Sequence, residues 1–132
     1  MTDKAIDKDS ERYLSGLKGE ELAIIYFERL GFCLVDRRFK TKEGEIDVVM
    51  ADKNKKIIVF VEVKRRKKIY DYENVITKQQ WNRIYNASIE FLRLKSPKYD
   101  NYDIRYDAFI CFVNSSNTFH IENILTTDNK IE

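Results

Sequence analysis

Two short runs of the chain carry residue types whose spacing suggests chemistry: Gly44-Glu45-Ile46-Asp47 and, fifteen positions on, Glu62-Val63-Lys64. The polar stretch 52–56 between their apolar continuations reads as a hairpin turn centred on Asn54-Lys55. In that register Ala51 faces Ile58, Val49 faces Phe60, Asp47 faces Glu62 and Glu45 faces Lys64. Strand side chains alternate, so these four polar residues share the face that Val49 and Phe60 carry into the core, while Ile46, Val48 and Met50 oppose Val59, Val61 and Val63 on the other. A slip of one residue would separate Asp47 from Glu62. Directly opposed side chains have Cβ atoms roughly 4.5–5.5 Å apart, and two carboxylates at that distance repel. Such a pair calls for a shared proton, a basic neighbour or a divalent cation. Mg²⁺, and with it Mn²⁺, suits the pair, because it binds through one or two carboxylates together with waters and phosphate oxygens. Lys64 would then position an attacking water or stabilise charge developing on a phosphate. The plain alternative is a solvated salt bridge at a hairpin end. Glu62 ends a strongly apolar strand, which argues against full solvation.

Basic residues adjoin this constellation. Lys64-Arg65-Arg66-Lys67-Lys68 is an unbroken basic run, of the kind that binds phosphate backbones by counterion release. Tyr70 and Tyr72 follow it and could stack on bases. Lys40 and Lys42 precede Gly44 and could line the same groove, whereas Arg37 and Arg38 should alternate faces, so that at most one reaches the site. The formal net charge of +2 selects no nucleic-acid partner by itself; the local distribution does. His120, the sole histidine, is expected at the surface or in a structural role, and no histidine-based triad or phosphate-cradling glycine loop is apparent. Cys33 and Cys111 sit in apolar runs without zinc-like spacing and read as buried free thiols.

The elements that must hold these residues follow from periodicity. Positions 16–30 are helical, with Leu17, Ala23, Ile24, Phe27 and Leu30 in phase and Gly31 as a C-cap. Strands are expected at 32–39, 45–51 and 57–64, the third apolar on both faces and therefore central. A helix at 75–94, ended by Ser96-Pro97, precedes strands at 104–113 and 119–124. The helix between the third and fourth strands is a crossover, which makes those strands parallel. The 132 residues fit one domain, 16–125, flanked by a charged tail or short helix at 1–15 and a C-terminal tail at 126–132. With 43% hydrophobic residues it can bury a core, and no apolar run approaches the roughly 18 residues that cross a bilayer. The polar residues 1–10 lack a signal-peptide core, so a cytoplasmic location with no membrane partner is expected.

The segments Gly44-Glu45-Ile46-Asp47-Val48-Val49 and Val59-Phe60-Val61-Glu62-Val63-Lys64-Arg65-Arg66 resemble the signature of the YraN-like family of bacterial proteins. Gly19-Glu20 with Ala23, Arg38, Phe91-Leu92 and Arg105-Tyr106-Asp107 extend the resemblance over about residues 16–113. That family is similar to the PD-(D/E)xK nuclease superfamily, within its Holliday junction resolvase-like branch. The resemblance implies a three-layer α/β/α restriction-endonuclease-like fold with a mixed five-stranded sheet in the order αβββαββ. It makes Asp47 the motif aspartate and Glu62-Val63-Lys64 the E-x-K element, adds Glu20 as a third metal-site carboxylate, and offers Gln79 or Gln80 as an accessory polar residue, with Glu45 nearby. The superfamily's proline is replaced by Ile46.

The function expected is a Mg²⁺- or Mn²⁺-dependent endonuclease on DNA, including branched or repair intermediates, working singly or as a homodimer. Asp47, Glu62 and Glu20 would hold the metal, with Asp47, Glu62 and Lys64 catalytic. Arg65, Arg66, Lys67, Lys68, Arg38 and Lys42 would bind nucleic acid. A non-catalytic nucleic-acid-binding module on the same fold competes with this reading, as does a protein-interaction adaptor. Salt-dependent but metal-indifferent binding would mark the module, and absence of nucleic-acid affinity the adaptor.

Overall fold

The computed structural model describes residues 8–67, 76–113 and 115–124, with the backbone alone over 8–17. Helix α1 spans Lys8–Arg29 and strands β1, β2 and β3 span Cys33–Lys40, Glu45–Asp52 and Ile57–Arg66. Helix α2 spans Lys78–Lys95, and β4 and β5 span Asp103–Phe112 and Thr118–Ile121. The element order is the expected one. Helix α1 begins well before residue 16, so the described part of the anticipated tail is helical. Residues 1–7, 68–75 and 125–132 lie outside the described residues, and with them the C-terminal tail.

Local chemistry explains where the elements stop. Gly31 adopts a φ of 97°, and the amides of Gly31 and Phe32 return to the carbonyls of Glu28 and Phe27 at 3.0 Å each. This is the paired hydrogen bonding that closes a helix through a left-handed residue, which glycine adopts without a Cβ penalty. Asp52 Oδ1 accepts from the amides of Asn54 and Lys55 at 3.0 Å each and so shapes the β2–β3 turn. At the start of α2, Thr77 and Gln80 exchange side-chain to backbone bonds as a capping box. Gln80 is therefore spent on the cap, and Gln79 is exposed on the first turn.

The sheet runs β1-β2-β3-β4-β5, antiparallel throughout except for the parallel β3–β4 pair that α2 bridges. The β2–β3 register is the one read from the sequence, with Ala51 opposite Ile58 and Val49 opposite Phe60. On one face Trp81, Ile84, Ala87 and Phe91 of α2 pack on Val49, Ala51, Ile58 and Phe60. On the other, Ala23, Ile24 and Phe27 of α1 pack on Val48, Met50, Val59, Val61 and Phe109. Three layers result, with β3 buried on both sides. Strict alternation fails at Ile46, which was expected with Val48 but joins the α2-side core together with Phe39. Cys111 is buried, but Cys33 is exposed at the start of the edge strand β1, contrary to the sequence reading.

Asp107, fully buried on the α1 face, anchors a polar network that the sequence did not reveal. It accepts from Arg105 Nη2 at 2.8 Å and from the Asn123 amide at 2.8 Å, and lies 2.6 Å from His120 Nε2. His120 Nδ1 in turn meets the Tyr26 hydroxyl of α1 at 2.9 Å. Burial pushes the Asp107 carboxyl up, but the hydrogen bonds from His120, Arg105 and Asn123 and the Arg105 charge outweigh it and hold the carboxyl below its ordinary value. Its stabilising contribution is thus complete above the ordinary aspartate range and lost as pH falls through the lowered folded value. Asp107→Ala, which removes the buried acceptor shared by Arg105, His120 and the Asn123 amide, is expected to cost roughly 3–5 kcal/mol in chemical denaturation at neutral pH. A loss under about 1 kcal/mol would mean that the network contributes little to the fold.

Candidate active site

The site forms where β2 and β3 part. Their ladder runs from Asp52–Ile57 to Val48–Val61 and stops. Beyond it, Asp47 Oδ2 accepts the Val63 amide at 2.8 Å. A side-chain carboxylate has replaced a backbone carbonyl as the partner of β3. The Asp47 carboxylate is thereby fixed against the segment that carries Glu62 and Lys64.

Glu62 shares a hydrogen bond with Asp47, and Lys64 Nζ lies 3.6 Å from Glu62 Oε1. The Glu62 and Lys64 side chains are only 12% and 17% exposed. Burial, then the charge of Asp47 and the hydrogen bond with it, push the Glu62 carboxyl up to about 9, against the opposing influence of Lys64. The Glu62 carboxyl therefore keeps its proton beside Asp47 when no cation lies between them. The donor set fits a hard divalent cation: two adjacent carboxyl groups, partly desolvated, whose mutual repulsion a cation would relieve.

Helix α1 approaches this corner closely. A Cβ on Gly19 would stand 3.1 Å from Val63 Cγ1 and 3.4 Å from Cys111 Sγ, so glycine lets the helix settle on β3 between the positions of Glu62 and Lys64. The next residue, Glu20, is 3% exposed. Its carboxylate accepts from Arg38 Nε at 3.1 Å, with Arg38 Nη2 at 3.0 Å from its other oxygen and Arg37 Nη2 at 3.4 Å. Both arginines thus reach the same acid, where alternation allowed only one to reach any given side. The cause is Arg38's φ of 55°, which breaks the alternation. Glu20 is held in this arginine pair, and α1 packs against the face opposite to Val49 and Phe60. Among the described residues no three acidic, histidine or cysteine side chains gather as a metal-holding group.

The remaining candidates are dispersed. Glu45 registers with Lys40 of β1, outside the β2–β3 ladder that would have set it opposite Lys64. The basic run is split by the continuation of β3 to Arg66: Lys64 serves Glu62, the charge of Arg65 acts on Cys111, and Lys67 is exposed. Lys68, Tyr70 and Tyr72 lie outside the described residues. Lys42 is exposed on the β1–β2 turn, where it lines a groove of about 420 Å³ with Phe39, Asn86 and Ile89 along α2, apart from the carboxyl pair.

The layers, the strand order and the paired carboxyl groups beside a lysine at the parting of β2 and β3 define a restriction-endonuclease-like α/β/α domain. Residues 19–111 match the family described as Uncharacterised protein family UPF0102, and the chain belongs to that family. A UPF0102 protein of Nitrobacter winogradskyi is 34% identical over 96 residues, covering 73% of this chain and 79% of the relative. One of Clostridium botulinum is 32% identical over 108 residues, covering 78% and 83%.

The Glu62 proton makes stability depend on pH. Glu62 holds its proton to about 9 when folded against an ordinary value of 4.5, so its contribution is complete below about 4.5 and is lost as pH rises through about 9. In EDTA the unfolding midpoint is expected to fall over that range. Asp47→Asn, which keeps an acceptor for the Val63 amide, should flatten the fall and stabilise the metal-free protein at alkaline pH by on the order of 1 kcal/mol. An unaltered pH profile in this variant would show that Asp47 does not raise Glu62.

Proposed function

We propose that the chain is a Mg²⁺- or Mn²⁺-dependent phosphodiesterase acting on DNA. The observation that carries this reading is the Asp47–Glu62 carboxyl contact with Lys64 at 3.6 Å, on a domain of restriction-endonuclease-like architecture. Asp47 and Glu62 would hold the metal, which when bound would supply Lewis-acid activation of water and of the phosphate. The Val63 amide holds the Asp47 carboxylate in place beside Glu62. The Lys64 ammonium, placed beside Glu62, orients the attacking water or balances the charge that builds on the non-bridging phosphate oxygens. Arg66 and Lys67, which follow Lys64 at the end of β3, extend positive charge along the path of the backbone.

Among the described residues no helix is long and apolar enough to cross a membrane.

Labelled single-stranded, duplex and four-way-junction DNA should be cut by the wild type with Mg²⁺ or Mn²⁺ and not in EDTA. Asp47→Ala and Lys64→Ala are each expected to lower the rate by at least about a hundredfold. Metal-dependent cutting that survives Asp47→Ala at the wild-type rate would remove this site from the reaction. Binding of all three DNAs without cutting by any variant would favour a nucleic-acid-binding module instead.

A further inference from the structure

A groove of about 420 Å³ runs between the β1–β2 turn and α2. Its apolar lining is Phe39 with Ile89 and Leu94 of α2. The Phe39 ring is held edge-to-face on the core Phe91, at 5.1 Å and 88°. Ile89 and Leu94 are 47% and 56% exposed. Apolar side chains left open to water in a concave place rimmed by polar ones have the composition of a ligand groove. The volume falls within the roughly 300–1,000 Å³ of small-ligand sites.

The turn that walls the groove is fixed. Thr41 Oγ1 accepts from the amides of Glu43 and Gly44 at 3.0 and 3.1 Å and donates to the Gly44 carbonyl at 3.1 Å. The turn sits so close on α2 that a Cβ on Gly44 would stand 2.8 Å from Arg83 Cβ. The groove is therefore formed before any ligand arrives.

Its polar lining is uncommitted. The side chains of Asn86, Lys40 and Lys42 are exposed and hold no hydrogen bond or ion pair among the described residues. Glu90 is occupied by Arg93, whose Nε donates to it at 3.0 Å. Glu43 is then the one carboxylate of the lining without such a partner, set against two ammonium groups. An apolar bed, a free carboxamide and two free cations match the three parts of a nucleotide: the faces of its base, the edge of its base, and the phosphates on either side. An acidic peptide would answer only to the lysines.

Register relates the groove to the candidate active site. Phe39 pairs with Ile46, the residue before Asp47. Strand and chain spacings put the Cα atoms of Phe39 and Asp47 within roughly 10 Å of each other. A nucleic-acid strand with a phosphate at the carboxyl pair would need only a few nucleotides to reach the groove. Pairing hides a base's edge and stacking hides its faces, so a base enters such a place only when it has left the duplex.

We infer that this groove is a subsite for one unpaired nucleobase near the phosphodiester to be cut, and that it directs the proteins's proposed activity to DNA with single-stranded character. Phe39, Ile89 and Leu94 receive the base, Asn86 its edge, and Lys40 and Lys42 the neighbouring phosphates. The inference rests on the nucleic-acid substrate proposed above but not on cleavage.

The test is binding in EDTA by fluorescence anisotropy across a salt series, using a labelled single strand, the same strand made fully abasic, and its duplex, with folding checked by circular dichroism. The wild type should hold the single strand at least about fivefold tighter than the other two. The double variant Ile89→Ser, Leu94→Ser should lose roughly tenfold on the single strand, the scale of one base contact, with little change on the abasic strand or the duplex and no change in salt slope. Lys42→Ala should weaken binding of the single and abasic strands alike and reduce the slope of log K against log salt by about 0.7, as one lost phosphate contact does on a single strand. Asn86→Ala, which alters one exposed side chain, should weaken only the single strand with bases, by at least about threefold.

Wild-type affinity for the single strand in the folded double variant overturns the inference. Should that variant not fold, undiminished binding by Asn86→Ala overturns it instead. Polyglutamate competing as well as single-stranded DNA of equal charge also overturns it, by making the groove a general anion surface. If the base-dependent loss appears in a protein that cuts no DNA, the nuclease reading fails and this one holds. If the wild type cuts but the variants bind and cut as it does, this one fails and the nuclease reading holds. Absence of any DNA binding removes both.

Discussion

The bond from the Val63 amide to the Asp47 carboxylate is the hinge of this molecule's design. It ends the β2–β3 ladder by substitution: the amide of β3 keeps a partner, but the partner is a side chain. A buried amide without an acceptor would cost about 1–3 kcal/mol, so β2 and β3 can diverge here only because Asp47 takes it. Divergence opens the corner in which Glu62 and Lys64 meet, and Gly19 lets α1 close down on that corner from one side. The same acid thus terminates a sheet and furnishes half of a carboxyl pair.

The structure tolerates the like-charge contact because it is confined to one end of a strand whose other residues are fully apolar. Ile58, Val59, Phe60 and Val61 are all 0% exposed and sandwiched between the two helices. Burying such side chains contributes roughly 1.5–3 kcal/mol each relative to leaving them exposed. That exceeds the cost of protonating or desolvating one glutamate. The apolar half of β3 anchors the strand and the polar half carries the site.

Much of this was legible in the sequence, for identifiable reasons. The apolar alternation of 48–51 against 58–61 fixes the register, because a one-residue slip would turn every core side chain outward. The same alternation pairs Asp47 with Glu62. What alternation cannot carry is its own failure. Arginine gives no hint of a positive φ, so the convergence of Arg37 and Arg38 on Glu20 and the shift of Ile46 to the α2 side were not foreseeable. The basic run looked like a single patch because its residues are adjacent in sequence. Extending β3 to Arg66 splits it, since neighbours on a strand point apart. The Asp107–His120–Tyr26 chain joins three distant positions, none unusual alone. Cys33 shares an apolar run with Phe32, but only the latter faces the core.

That chain has a property of its own. The two ring nitrogens of His120 span the Tyr26 hydroxyl of α1 at 2.9 Å and the Asp107 carboxylate of β4 at 2.6 Å. One imidazole thus rivets α1 to the β4–β5 edge, so the helix that carries Glu20 is fixed to the sheet by a polar fastening as well as by its apolar face.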